Sequence, residues 1–195
     1  MAKIKLTKNE LKSQKDSLKR FERYLPTLML KKQQLQLVIR QIDVEVNKKT
    51  ADRETLYSSI QSWIAVYGED VQLAQYLQIS ELVTGDGNIA GVDIPLFERI
   101  AFTEERYDLM AMPLWVDAGL SALKKLLTLD AEIEVLEQQR EKLNDELRVT
   151  TQRVNLFEKV KIPEAKENIR NIRIYLGDQQ TAAVVRGKIA KRNLV

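Results

Sequence analysis

The side chains left for acid–base or metal chemistry are carboxylates, because the 195-residue chain contains no histidine and no cysteine. That removes the commonest general base, the thiol nucleophile and the usual transition-metal ligands. Glu132, Glu134, Glu137 and Glu141 recur at helical spacing, which is the pattern of a solvated helix face. Glu104, Glu105 and Asp108 could form an acidic cluster, and an ordinary surface or a docking patch is the better reading than a metal site. The glycine-rich stretch Gly85 to Gly91 lacks the Gly-Lys-Ser/Thr ending of a phosphate loop. The residues therefore predict no catalytic group, no metal site and no cofactor.

What must position these residues is a long helix with an apolar seam. One register reads Ile4, Leu11, Leu18, Leu25, Lys32, Ile39, Val46, Arg53, Ile60, Tyr67. Its partner reads Phe21, Leu28, Leu35, Ile42, Lys49, Leu56, Trp63. This is the heptad of a helix that must bury one stripe against another helix. Thr7 can cap the amides of Asn9 and Glu10, and the periodicity ends at Gly68. Pro26 falls inside, but the heptad keeps its phase across it, which predicts a kink and not a break.

A second helix is predicted from about Leu114 to Leu176. Its seam reads Ala122, Leu126, Leu129, Ile133, Leu136, Arg140, Leu143, Leu147, Thr150, Val154, Phe157. The phase then slips by one residue and resumes as Ile162, Ala165, Ile169, Ile172, Leu176. Pro163 sits at the slip, which predicts a kink or local unwinding. Gly177-Asp178 would cap or interrupt this helix, and Ala182 to Ile189 would add a last helical piece. The seam charges Lys32, Lys49, Arg53 and Arg140 either set register, as buried charges can, or snorkel out to water.

Between the helices, residues 68 to 113 hold four of the seven glycines and two of the four prolines. Glu69 to Leu82 reads as a short helix. Gly85-Asp86-Gly87-Asn88 reads as a turn. Ile89 to Ile94 and Leu96 to Phe102 read as short strands of a β-hairpin, with Tyr107 to Met112 as an extension. The expected fold is all-α dominated. The N- and C-terminal segments form a long antiparallel two-helix coiled coil, with a small head of short helix and hairpin between them. The organisation is 1–67, 68–113 and 114–195.

Composition and charge narrow the class. With 44% hydrophobic and 30% charged residues the chain fits neither a disordered segment nor a membrane-spanning one. The N-terminus lacks the apolar core of a signal peptide, and the absence of cysteine fits a reducing, intracellular compartment. From Met1 to Lys32 there are ten Lys/Arg against three Asp/Glu; from Glu54 to Asp117, two against eleven; from Glu158 to Val195, nine against four. Antiparallel pairing would put both basic ends together, opposite the acidic middle.

Three sequence elements resemble one family, the D subunits of the V-type and A-type rotary ATPases. They are the N-terminal run from Lys3 to Gln36 with its Leu-Pro-Thr-Leu element, the Pro-Leu-Trp-Val-Asp of Pro113 to Asp117, and Arg153 to Gln180 with its Arg-Val-Asn-Leu-Phe-Glu element. The resemblance covers nearly the whole chain and is weakest over Gly68 to Met112. It implies a non-catalytic central rotor shaft that transmits torque between a catalytic ring of A and B subunits and the membrane rotor. The implied partners are the A, B and F subunits and a socket-like component, on the cytoplasmic side and without direct membrane insertion. Lys5, Lys8, Arg186, Lys188, Lys191 and Arg192 would form the tip bearing. Gly85, Gly91, Glu104 and Glu105 would mark the docking head, and kinks at Pro26 and Pro163 would curve the shaft. Heptads alone would equally fit a coiled-coil adaptor or scaffold. The sequence pI of about 9.0 raises a nucleic-acid-binding coiled coil, although no base-stacking aromatic array is present.

Overall fold

The computed structural model of the chain describes residues 4–61, 73–105, 107–108 and 112–193. Helix α1 (Lys8–Ile60) is followed by a single turn of helix, α2 (Leu73–Tyr76), and two strands, β1 (Leu77–Ile89) and β2 (Val92–Glu104). Helix α3 (Val116–Asn155) passes through a π-helical segment (Leu156–Lys161) into α4 (Ile162–Arg192). The chain is mostly helical, and β1 and β2 pair as a two-stranded antiparallel hairpin. No described helix is long and apolar enough to cross a membrane.

The chain divides into two compact units, one of Met1–Gln33 with Arg148–Val195 and one of Gln34–Leu147. In the second unit, Leu35, Ile39, Ile42 and Val46 of α1 pack with Leu143 of α3 and Ile94 of β2. All of these but Ile94 lie on the heptad seams. Burying each large apolar side chain contributes about 1.5–3 kcal/mol. Along the same helices Asp43 meets Arg140, Lys49 meets Glu132 and Arg53 meets Asp130. Residue numbers therefore rise along α1 as they fall along α3.

The hairpin lies against α3. At its base Leu77 packs with Val116 and Leu120. Near its tip the Gln139 side-chain amide donates to the Pro95 carbonyl at 2.6 Å. Gln139 shares a stripe with the buried Ala131 and Val135, and this stripe lies outside the heptad seam. The α3 helix thus meets α1 through its seam, and meets the hairpin both at Leu143 of that seam and through a second stripe.

The first unit is more open. Phe21 of α1 stands 5.1 Å from Phe157, centroid to centroid, and the Lys166 ammonium lies 3.4 Å from the Glu22 carboxylate. Leu11, Leu18, Leu25 and Leu28 are half-buried, whereas Ala165, Ile169 and Ile172 are buried. Thr7 caps α1 as expected: the Glu10 amide donates to its hydroxyl at 3.3 Å. Helix α1 continues through Pro26.

Several sequence expectations need correction. Residues 77 to 82 are strand, not helix. Gly85-Asp86-Gly87-Asn88 lies inside β1, and the turn is Ala90-Gly91, between the paired Ile89 and Val92. Both turn residues have positive φ, 53° and 79°, the signature of a type I′ turn. Asn88 closes it by accepting from the Gly91 amide and donating to Asp93. The expected strand Ile89 to Ile94 is therefore split by the turn. Gly177-Asp178 does not interrupt α4, which runs on to Arg192. The expected helix end at Gly68, seam residues Trp63 and Tyr67, the start of the short helix at Glu69 and part of the Tyr107 to Met112 extension lie outside the described residues.

Candidate interaction surfaces

The phase slip after Phe157 has a structural counterpart. The Ile162 amide donates to the Phe157 carbonyl, five residues back, within the π-helical turn Leu156–Lys161. A π turn absorbs one extra residue without ending the helix. That is the residue by which the seam slips, and Pro163 follows it in the first turn of α4, where its missing N–H removes little.

The seam cations do not lie buried and unpaired. The Lys49 ammonium lies 2.5 Å from Glu132, the Arg53 guanidinium 2.5 Å from Asp130, and Arg140 lies 3.5 Å from Asp43 and 3.3 Å from Glu137. Their side chains are 36–45% exposed, so the stems cover the seam while the charges reach its rim. Lys32 is half-buried. Such pairs add little stability each, but they discriminate between registers.

The six tip residues all belong to the first unit. Lys5 and Lys8 are exposed at the start of the chain and of α1. Arg186, Lys188, Lys191 and Arg192 are exposed on the last turns of α4, where every residue from Gly177 to Asn193 is exposed. Val184, Val185 and Ile189 share that bare stretch at 59%, 49% and 55% exposure. Cations in the last turn also suit the negative end of the helix dipole.

In the head, each expected docking residue has a structural task. Gly85 pairs with Leu96, and a Cβ there would lie 2.5 Å from the Glu98 carboxylate. Gly91 supplies the positive φ of the turn. Glu104 accepts from the Lys124 ammonium at 2.7 Å, tying the end of β2 to α3, and the Glu105 amide donates to the Tyr76 carbonyl. Asp108 is also engaged in an interaction. The Glu104 carboxylate is therefore ion-paired, and no group of three metal-ligating side chains occurs among the described residues. Nearby, the Tyr107 hydroxyl donates to Asp117. That bond, with burial and the negative charges of Asp117 and Glu104, raises the Tyr107 pKa above its usual 10.0.

Sequence reasoning missed Gln139, whose polar side chain on a helix gave no sign of a hairpin beside it. It also missed a groove in the first unit formed by Tyr24, Thr27, Leu28, Lys31, Arg153 and Phe157. Its signal was visible: Tyr24, Leu28 and Lys31 recur at helical spacing, and so do Arg153 and Phe157.

The model of the family described as the ATP synthase D subunit matches residues 10–192. The chain belongs to that family. The V-type ATP synthase D subunit of Borreliella burgdorferi is 51% identical over 195 residues, spanning 100% of this chain and 96% of the relative. The V-type ATP synthase D subunit of Chlamydia caviae is 33% identical over 195 residues, spanning 98% and 93%. That of Chlamydia trachomatis serovar A is 33% identical over 197 residues, spanning 98% and 96%. These relatives thus match at full length, including the head where the sequence resemblance was weakest.

Proposed function

We propose that this chain is the central-stalk rotor component of a V/A-type ATPase or ATP synthase, and that it carries torque without doing chemistry. Full-length similarity to V-type ATP synthase D subunits is the observation that carries this reading. The head, 68–113, joins two helical segments, 1–67 and 114–195, in an antiparallel coiled coil. The opposed numbering of the Asp43–Arg140, Lys49–Glu132 and Arg53–Asp130 pairs supports that direction.

On this reading the partners are the catalytic A and B subunits around the shaft, with the F subunit and the membrane-rotor socket at the acidic head. The chain sits peripherally on the cytoplasmic face. Curvature at Pro26 and at the π turn before Pro163 presents different faces to successive catalytic interfaces. Rotation then biases each interface through differential contact energy. Lys5, Lys8, Arg186, Lys188, Lys191 and Arg192 act as a bearing. The exposure of the whole stretch from Gly177 to Asn193 supports a surface completed by other subunits.

Trimming the tail after Gly187 in a reconstituted complex tests this. Coupling efficiency or torque should fall while nucleotide hydrolysis persists, because no catalytic group leaves. Loss of hydrolysis from Lys191→Ala alone, with assembly intact, would contradict it.

A further inference from the structure

The groove beside the π turn is formed by α1 and by the helix that carries Arg153 and Phe157. Its floor and walls, Tyr24, Thr27, Leu28 and Phe157, are mostly apolar, and it is an open groove of about 320 Å³. Large apolar side chains near it stay in water: Tyr24 is 56% exposed, and Leu156 and Val160 of the π turn are 44% and 48% exposed. Phe157 and Arg153 lie four residues apart on one helix, about 6 Å along its axis. The groove is therefore aromatic at one end and cationic at the other. Lys31 already takes part in an interaction of its own, so Arg153 carries the charge argument.

We propose that this groove docks an acidic amphipathic segment of another polypeptide, placing an apolar side chain between Tyr24 and Phe157 and a carboxylate, one helical turn on, at Arg153. The surrounding charge fixes the sign of the occupant. Both charged residues that line the groove, Lys31 and Arg153, are cations. A basic segment would be repelled, and a purely apolar one would leave Arg153 unmatched. The π turn contributes by leaving Leu156 and Val160 exposed as a flank for the incoming segment. The inference rests on the groove alone and does not need the torque reading to hold.

The test uses the full chain and a synthetic helical peptide of about 18 residues as probe, long enough for some five turns, with Leu at successive turns and Glu four residues after each Leu. Its NMR shift changes should map to Tyr24, Leu28, Arg153 and Phe157. Arg153→Glu and Tyr24→Ala should each weaken binding about tenfold, and added salt should weaken it further. Arg173→Glu, in a separate groove lined by Leu18 and Ile169, should leave affinity unchanged. The same peptide with Lys for Glu should not bind. Equal binding of the Lys peptide, an equal effect of Arg173→Glu, or acidic-peptide shifts absent from the groove would each overturn the proposal. So would groove shifts that appear only on self-association of the chain or with anionic phospholipid vesicles.

Discussion

The amide of Ile162 bonds to the carbonyl of Phe157, five residues back and not four. Those two residues are also consecutive members of the apolar seam, so the backbone irregularity and the hydrophobic pattern agree. The extra residue makes α3 and α4 a single helix with two phases. If the π turn exists to absorb that residue, deleting Lys159 should convert it to ordinary α-helix with the seam restored. The variant should fold, and its thermal midpoint should hold or rise, by about 2–4 °C for each kcal/mol regained. Inserting an alanine there instead should turn Ile169 and Ile172 off the seam and lower the midpoint sharply. A deletion that unfolds the chain would refute this explanation of the slip.

The cross-helix ion pairs should matter less to stability than the seam beneath them. A double-mutant cycle on Asp43 and Arg140 should give a coupling of about 0.2–1 kcal/mol, because both side chains are partly exposed. Leu143→Ala removes a side chain with no exposure at all and should destabilise by about 2–5 kcal/mol. Urea denaturation of both sets measures the contrast. A coupling as large as the Leu143 effect would place these charges in the core.

Gln139 should hold the hairpin to α3. Gln139→Ala leaves the Pro95 carbonyl without its 2.6 Å donor, which should cost about 1–3 kcal/mol. Hydrogen exchange should quicken in the β2 amides around Ile94 while the amides of α1 near Leu35 stay protected. Uniform quickening across both would mean that the hairpin and the helices open as one.

Tyr107 should give the head a pH dependence on the alkaline side. Its pKa is raised, first by the hydrogen bond to Asp117. The folded state therefore keeps the phenol proton where the unfolded state loses it. That stability is fully present below about pH 10 and is lost as pH rises through the higher folded value. Tyr107→Phe should weaken the alkaline dependence of the melting midpoint relative to the parent chain. An ultraviolet tyrosinate titration showing every tyrosine ionising near pH 10 would contradict it.

The helices were legible in the sequence because a heptad states both the element and its buried face. Leu35, Ile39, Ile42, Val46, Leu143, Ala165, Ile169 and Ile172 lie on the expected seams and are buried. The slip at Pro163 was legible as phase, although only the folded backbone gives it the form of a π turn. The hairpin was half legible. Gly-Asp-Gly-Asn has turn chemistry, but Gly85 and Gly87 lie in a strand against Glu98 and Leu96, and Ala90 takes the positive φ instead. Strand periodicity was blurred by register shifts between Ile79 and Glu81 and between Val83 and Thr84. The ion pair of Glu104 with Lys124 was not legible because its partner comes from a distant segment. Gln139 and the Tyr24–Phe157 groove depend on which helix faces meet, and a one-dimensional pattern does not carry that.

Rotation itself is the most direct test of the shaft. The chain has no cysteine, so a single cysteine replacing the exposed Ile79 of the hairpin can carry one bead. With the A and B subunits of the same complex fixed to a surface, ATP should drive the bead in one direction, in steps, and stop when hydrolysis is inhibited. Steady hydrolysis beneath a bead that stays still, with this chain bound, would contradict the rotor account.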